Sequence, residues 1–310
     1  MKIKKLAAGL LAMTFVFGGA VLPNAVAGNV VVTANAEEAD VFGGFKYTIL
    51  EDGTAEITAY NGDAKVEIPD EIDDKAVTSI GRYAFSNKSI VSISMPDSIT
   101  TIRWGAFANC GAIADVKLSA NLRTIEGYVF YNCGNIESIE MPESVTSIGE
   151  HAFYGCKSIK ELTLFPNITN DIGYMAFANT NPSLTFNCYN GSKAEKYALN
   201  NGISFKILDV EDKTEFPVLR EVQFNSDFRQ IRLKWTEVEA AEKYGIAVFL
   251  AGKWRIQTQD ISADITTYTT PKNITRNKDY KIAIAAKVNG KWERDKAINN
   301  AFSIHTPLTF

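Results

Sequence analysis

The hexapeptides IGRYAF (80–85), IRWGAF (102–107), IEGYVF (125–130), IGEHAF (148–153) and IGYMAF (172–177) occupy the middle of this 310-residue sequence. Each begins with isoleucine and ends with phenylalanine, and successive phenylalanines lie 22, 23, 23 and 24 residues apart. A period of this length, kept through five copies while the polar residues vary, is typical of a solenoid. Each unit of a solenoid buries its apolar face only against its neighbours.

The residues between the hexapeptides predict one short strand in each copy. The pattern is Ile-x-x-Ile-x-Met or Leu, first seen at Ile90, Ile93 and Met95. It recurs over residues 113–118, 136–141 and 159–164. Successive strand residues point to opposite faces, so the apolar residues are expected to face the interior of the coil. A second apolar pair, such as Ile99 with Ile102, closes the coil, and the phenylalanines are expected to stack on one another.

These residues resemble the repeat of BspA-like leucine-rich-repeat proteins of bacterial surfaces, which looks like IGxxAFxxCxxLxxIxIPxxVxx. The segment IGEHAFYGCKSIKELTLFPNITND, which starts at Ile148, is similar to it with one residue added. The resemblance covers roughly residues 44–208. It implies a secreted or surface-displayed solenoid that binds a ligand, often in adhesion, and it supplies no site motif because function depends on the site rather than the fold.

The start of the solenoid is predicted to carry a cap. Residues 45–77 alternate apolar and polar side chains and contain the turn dipeptides Asp52-Gly53 and Asn61-Gly62, which indicate β-hairpins. A nearby acidic cluster lacks the alternating spacing and the glycine of a calcium loop, so we interpret it as a solvated turn rather than a metal site. The cluster consists of Asp70, Glu71, Asp73 and Asp74.

The end of the solenoid is also predicted to be capped. Ser192 and Glu195 form a capping box that opens a short helix, and Asn201-Gly202 indicates its left-handed end. A strand over residues 203–208 follows. We therefore assign residues 37–208 to the solenoid with its caps and residues 209–216 to a charged linker.

Residues 217–310 change to the alternating pattern of β-strands, with about seven short strands in under a hundred residues. This segment resembles a fibronectin type III domain, with Trp235 at the position of the core tryptophan and Ile274 six residues before Tyr280. The predicted fold class is mainly β: a leucine-rich-repeat solenoid of about five repeats, with short strands and short helical turns, followed by an immunoglobulin-like β-sandwich.

The first residues indicate a targeting segment. Three lysines precede an apolar run over residues 6–20, and small residues follow. We predict a signal peptide over residues 1–36 that is cleaved after Ala36, with cleavage after Ala27 as the second choice. A retained anchor is the alternative, although the run is shorter than the ~20 residues that span a bilayer. The chain is thus expected to be extracellular, secreted or associated with the cell surface, with no membrane insertion after cleavage.

Charge is divided unevenly along the chain. Residues 37–214 carry 14 basic and 25 acidic side chains, whereas residues 215–310 carry 15 basic and 11 acidic ones. An acidic solenoid repels phosphates and anionic lipid surfaces. The charge pattern therefore argues against nucleic acid and membrane surfaces as partners.

The sequence offers few residues for catalysis. Its two histidines are His151 and His305, and it contains none of the usual nucleophile, phosphate-loop or zinc-protease motifs. Glu137 and Glu140 share one predicted strand, so we interpret them as part of a solvated face rather than as a glycosidase pair. We predict that the protein is not an enzyme and has no catalytic residue, cofactor or metal.

Three of the four cysteines recur at the same position of the repeat. Cys110, Cys133 and Cys156 each lie three residues after a phenylalanine, and Cys188 lies in the end cap. Stacked coils would bring the three sulfurs close together in an oxidising compartment. A buried, reduced row is favoured over a disulfide because three is an odd number and disulfide geometry is demanding. A linear row also lacks the tetrahedral arrangement that zinc requires.

The outward residues of the predicted strands form the candidate binding face. It consists of Ser92, Ser94, Asp115, Lys117, Ser138, Glu140, Glu161 and Thr163. This sheet face is polar and lacks the aromatic residues on which sugars stack, so an extracellular protein or peptide is the expected partner. An ordinary solvated surface is the other interpretation. The alternative function is an accessory carbohydrate-binding component of a polysaccharide-degrading system, for which Trp104, Trp254 and Trp292 are the exposed-aromatic candidates.

Overall fold

The computed structural model describes residues 40–307, and the predicted signal peptide lies outside the described residues. Within this range the chain is mainly β. The first strands are β1 (Asp40–Phe42), β2 (Phe45–Ile49), β3 (Ala55–Tyr60), β4 (Lys65–Glu67), β5 (Glu71–Ile72), β6 (Lys75–Ile80) and β7 (Ser92–Ser94). The solenoid continues with β8 (Thr101–Ile102), β9 (Asp115–Lys117), β10 (Thr124–Ile125), β11 (Ser147–Ile148), β12 (Glu161–Thr163), β13 (Thr185–Cys188), α1 (Lys193–Asn201) and β14 (Ser204–Ile207).

The repeats wind into parallel coils whose equivalent residues pair in register. Ile80 pairs with Ile102, Ile102 with Ile125, and Ile125 with Ile148, through β6, β8, β10 and β11. A separate sheet joins β4, β7 and β9, also in parallel. The predicted solenoid of short strands is therefore confirmed, and its period sets the register of the coils.

The phenylalanines of the repeat stack through the core as predicted. Neighbouring rings from Phe85 to Phe177 have centroids 4.9, 5.4, 5.3 and 5.0 Å apart, with interplanar angles of 4–24°. All five rings are at most 3% exposed. The small residue before each ring, such as Ala106, is buried as well and leaves room for the adjacent coil.

The segment that ends in phenylalanine consists of consecutive i→i+3 turns. In the first copy, the N–H of Ala84 donates to the carbonyl of Gly81, whereas the N–H of Phe85 donates to Ala106 in the next coil. This alternation requires positive φ at two positions of each copy. The first position holds Tyr83, Gly105, Tyr128, His151 and Met175, and the second holds Asn87, Asn109, Asn132, Gly155 and Asn179. Asparagine and glycine tolerate this conformation most readily.

Two predictions for the solenoid are wrong. No strand forms over residues 136–141 of the described chain, although Ile136, Ile139 and Met141 are buried. Apolar burial keeps this coil on the common path, and its outward backbone groups can be hydrated. Asn61-Gly62 does not close a hairpin, because β4 after it pairs with β7 instead of β3. The hairpin at Asp52-Gly53 is confirmed by the pairing of β2 with β3.

The C-terminal cap follows the sequence closely. Ser192 caps α1 and accepts a hydrogen bond from the N–H of Glu195, and Gly202 ends the helix at φ 64°. The carboxylate of Glu195 accepts from the N–H of Gly191 at 2.6 Å, one residue earlier than a standard capping box. β14 then pairs in parallel with β13 and completes the cap.

The remaining residues form the strands of two main antiparallel arrays and of a separate two-stranded parallel sheet. Their strands are β15 (Lys213–Thr214), β16 (Leu219–Phe224), β17 (Ile231–Trp235), β18 (Glu237–Val238), β19 (Ala241–Leu250), β20 (Lys253–Ser262), β21 (Thr267–Thr269), β22 (Lys278–Val288), β23 (Lys291–Trp292) and β24 (Phe302–Thr306). A second helix, α2 (Arg294–Asn299), was not predicted. The rings of Trp235 on one sheet and Tyr244 on the other meet edge to face at 5.4 Å in the buried core.

One sheet continues from the solenoid into the C-terminal strands. β14 pairs on one side with β13 and on the other, antiparallel, with β16, and β16 leads to β17 and β21. The last coil thus has no open edge at β14, since β16 occupies its hydrogen-bonding groups. The C-terminal strands therefore take part in capping the solenoid.

Candidate functional site

The predicted sheet face lies at the surface, with its residues in aligned rows. Ser92 pairs with Asp115 and Ser94 with Lys117 across β7 and β9. Farther along, Glu161 pairs with Thr185 across β12 and β13. Ser138 and Glu140 are exposed but belong to the coil without a strand. All eight predicted residues are exposed or half-buried.

The rows extend beyond the eight predicted residues. Lys65 and Glu67 precede Ser92 and Ser94 in the same register. At the other end, the amide of Asn187 donates to the carboxylate of Glu161 at 2.6 Å. The sequence pattern could have identified these positions, since they lie between buried residues of the same repeat.

The two histidines of the described residues make different contacts. His151 stacks on Tyr128 with ring centroids 4.7 Å apart, and its Nδ1 is buried without a hydrogen-bond partner. Nδ1 of His305 lies 2.9 Å from Asp279 in the C-terminal strands. Within residues 40–307, no group of three His, Cys, Asp or Glu side chains is arranged to hold a metal ion. His151 is therefore held in the turns by ring packing.

The cysteines form the buried row of free thiols that the sequence predicts. Cys110, Cys133 and Cys156 are inaccessible, and each directs its Sγ to a backbone carbonyl of the preceding coil at 2.9–3.2 Å. Burial raises the pKa of the Cys156 thiol to about 12 and that of Cys188 likewise to about 12. It also raises the pKa of the Cys110 and Cys133 thiols. The thiols are therefore protonated and unreactive at neutral pH.

The raised thiol pKa values predict that stability falls in alkali. The unfolded chain releases thiol protons near the ordinary pKa of 9.0, whereas the folded chain holds that of Cys156 up to about 12. The free energy of unfolding should therefore decrease as pH rises from about 9 to about 12. We expect the fall in thermal midpoint between about pH 7.5 and about pH 10.5 to be smaller in the double variant Cys133→Ala/Cys156→Ala. An equal fall in both proteins would contradict this account.

The turns carry a row of aromatic side chains that the sequence analysis did not identify as a surface. We define this aromatic turn surface as Trp104, Tyr128, Tyr131, His151, Tyr154 and Tyr174. Rings of adjacent coils contact one another, as between Tyr131 and Tyr154 with centroids 5.1 Å apart. Tyr131 and Tyr154 are 23 residues apart in the sequence, so the repeat spacing could have revealed the row.

A cleft opens at the N-terminal end of the aromatic turn surface. This turn cleft is lined by Tyr83, Trp104, Tyr128, Tyr131, Asn87 and Asn109 and has a volume of about 700 Å³. Ser86 and Ala108 complete the lining. Of the three exposed-aromatic candidates, only Trp104 lies here.

The other two tryptophans line a separate cavity in the C-terminal strands. Trp254 and Trp292 line a space of about 280 Å³ together with small residues that include Gly245, Ala247 and Ala283. Trp254 pairs with Phe249 across β20 and β19, as expected for packing near a hairpin end. The cavity is mostly apolar and lies outside the solenoid.

The coil geometry and the surface rows define a leucine-rich-repeat solenoid protein. Residues 78–206 match the BspA type leucine rich repeat region in six copies. A leucine-rich-repeat protein of T. pallidum is 30% identical, with a TM-score of 0.45, over 46% of this chain and 68% of that chain. The chain belongs to the BspA-type leucine-rich-repeat family.

Two further solved structures are each similar to about half of the chain. A leucine-rich-repeat protein from Bacteroides ovatus is 31% identical, with a TM-score of 0.43, over 47% of this chain and 40% of that chain. A leucine rich cell surface protein from Faecalibacterium prausnitzii is 29% identical, with a TM-score of 0.41, over 50% of this chain and 40% of that chain. No curated protein matches the chain. Neither helix within residues 40–307 has the length and apolar character needed to cross a membrane.

Proposed function

We propose that this chain is a secreted or cell-surface binding protein without catalytic activity, and that its sheet face binds an extracellular protein or peptide in adhesion or another surface interaction. The observation that carries the proposal is the alignment of exposed and half-buried polar residues on consecutive parallel strands, as in Ser94 beside Lys117. A rigid row of this kind presents a fixed charge pattern, which gives specificity to a complementary partner.

The location is supported by the sequence and by the family. The lysines, the apolar run and the small residues of the first 36 positions have the order of a secretory signal. The Faecalibacterium prausnitzii relative is a cell surface protein by description. We propose that the first 36 residues direct the export of this chain.

We propose that the C-terminal strands are a fibronectin type III domain serving as a spacer or second binding module. Trp235 is buried in β17, and the hydroxyl of Tyr280 accepts a hydrogen bond from the N–H of Thr275 at 2.9 Å. A tyrosine that ties its hydroxyl to the backbone a few residues upstream is a feature of β-sandwiches of this kind.

Exchanging two charges tests the sheet face. In the double variant Lys117→Glu/Glu140→Lys the net charge is unchanged, so long-range steering is preserved while the local pattern is inverted. We expect affinity for a bound protein to fall at least about tenfold, because like charges then face each other. The measurement is surface plasmon resonance on each protein that the wild type binds.

A matched exchange on the turns is the control. Glu150 and Lys157 are exposed and lie in the turn segments. Glu150→Lys/Lys157→Glu should bind the protein partner as the wild type does. If both double variants bind as tightly as the wild type, the sheet face is not the site.

A further inference from the structure

The turn cleft has the composition of a ligand site rather than of an ordinary solenoid surface. Its volume of about 700 Å³ falls within the range of about 300–1,000 Å³ that is usual for ligand sites. The ring of Tyr83 is 55% exposed, whereas the phenylalanines of the same coils are buried. An aromatic ring held open to solvent beside an indole is available for contact with a ligand.

Glycines in the repeat fix the two rings that face the cleft. A Cβ on Gly105, which has φ 64°, would lie 2.4 Å from the ring of Tyr83. A Cβ on Gly127 would lie 2.6 Å from the indole of Trp104. Each ring thus packs one face over a glycine of the next coil, which orients it before any ligand arrives.

Two amides that line the cleft, Asn87 and Asn109, belong to a hydrogen-bonded row. Nδ2 of Asn109 donates to Oδ1 of Asn87 at 3.2 Å, and Nδ2 of Asn132 donates to Oδ1 of Asn109 at 3.1 Å. Each amide nitrogen carries two hydrogens and each amide oxygen two lone pairs, and these contacts use one of each. The row therefore offers both donors and acceptors in a fixed orientation.

The lining is free of charge. Every residue that lines the turn cleft is aromatic, amide, hydroxyl or alanine. The surrounding solenoid segment is acidic, with 14 basic and 25 acidic residues over positions 37–214. The lining side chains offer no charge to pair with an ionic ligand. The guanidinium of Arg82 lies over the indole of Trp104, 5.9 Å from the ring centroid. The net acidic charge of the solenoid segment disfavours an anionic ligand.

We propose that the turn cleft binds a neutral oligosaccharide, with sugar rings against Tyr83 and Trp104 and sugar hydroxyls on the row of Asn87 and Asn109. The apolar C–H face of a sugar ring matches an aromatic side chain, and each hydroxyl both donates and accepts, as the amides do. A proline-rich peptide fits less well, because its backbone offers carbonyl acceptors but lacks the donors that amide oxygens require. This site is independent of the sheet face, so either proposal can fail alone.

Binding of the purified protein to a defined oligosaccharide panel tests the cleft. The neutral probes are hexasaccharides of β-glucan, mannan and chitin, and the comparison probes are polygalacturonate, chondroitin sulfate and a proline decamer. We expect saturable binding to at least one neutral hexasaccharide by isothermal titration calorimetry. Tyr83→Ala and Trp104→Ala should each weaken it by about tenfold or more, whereas Trp104→Phe should retain part of the affinity.

The controls separate a lost site from a lost fold. Phe249→Ala removes an exposed aromatic side chain of β19 and should leave the affinity unchanged. Tyr83 is exposed, so Tyr83→Ala remains informative if Trp104→Ala lowers the thermal midpoint. The proposal is overturned by binding that survives both cleft variants, by a panel without neutral binders, or by stronger binding of an anionic glycan or the proline decamer.

Discussion

Replacing Phe130 with alanine is expected to lower the free energy of unfolding by about 3–5 kcal/mol. The ring is fully buried at the centre of the phenylalanine stack. Its centroid lies 5.4 Å from that of Phe107 and 5.3 Å from that of Phe153. Its loss removes apolar burial and leaves a cavity between two coils that backbone hydrogen bonds hold in register. Urea denaturation followed by far-ultraviolet circular dichroism measures the change.

Tyr174 provides the matched control in the same solenoid. It is 68% exposed and contacts His151 at its edge. Tyr174→Ala should change the free energy of unfolding by no more than about 0.5 kcal/mol. A similar loss in both variants would show that the stack does not carry the stability of the solenoid.

Replacing Phe205 with alanine is expected to destabilise the solenoid and the C-terminal strands together, again by about 3–5 kcal/mol. Phe205 is fully buried in β14, where it pairs with Phe186 of the solenoid and with Val222 of β16. One sheet and one cluster of buried hydrophobic residues continue through this position from the solenoid to the C-terminal strands. Local unfolding of either part therefore exposes buried residues of the other. Hydrogen exchange, read by mass spectrometry on peptides from both sides, measures the effect.

The neighbouring Lys206 separates this effect from a general change in β14. It is exposed and pairs with Glu221 of β16. Lys206→Ala should therefore lower the free energy of unfolding by less than about 1 kcal/mol. If hydrogen exchange in Phe205→Ala became faster only in the solenoid or only in the C-terminal strands, the two parts would not be coupled.

The repeat made most of the solenoid predictable from sequence. The spacing of Ile80, Ile102 and Ile125 gave their register directly, because equivalent residues of successive coils must stack. The helix cap at Ser192 was predictable for a different reason, since capping depends on residues three positions apart. Local and periodic constraints of this kind are carried by the sequence itself.

Features that depend on contacts between distant segments were not predictable. The pairing of β14 with β16 joins two segments across the predicted linker, and nothing in either segment specifies it. The missing strand over residues 136–141 has the same apolar pattern as its neighbours. The short helix α2 begins after Glu293, whose side chain makes no capping hydrogen bond, so the usual start signal is lacking.

The candidate sites were predictable to different degrees. The outward position of Asp115 and Lys117 follows from strand alternation. The turn cleft was not foreseen, because its turns require Tyr83 and Tyr128 to adopt positive φ, a conformation that these residues rarely take. Reading the aromatic residues by repeat position, rather than one by one, would have brought Trp104 and Tyr131 to the same side of the solenoid.

The most direct test of the account is an array of immobilised extracellular proteins and peptides from host and bacterial surfaces, probed with the purified protein. We expect saturable binding to at least one of them, weakened at least about tenfold in Lys117→Glu/Glu140→Lys and unchanged in Tyr83→Ala. Binding that survives the charge exchange, or an array on which no protein or peptide gives a saturable signal, would contradict the proposal that the sheet face binds a protein partner.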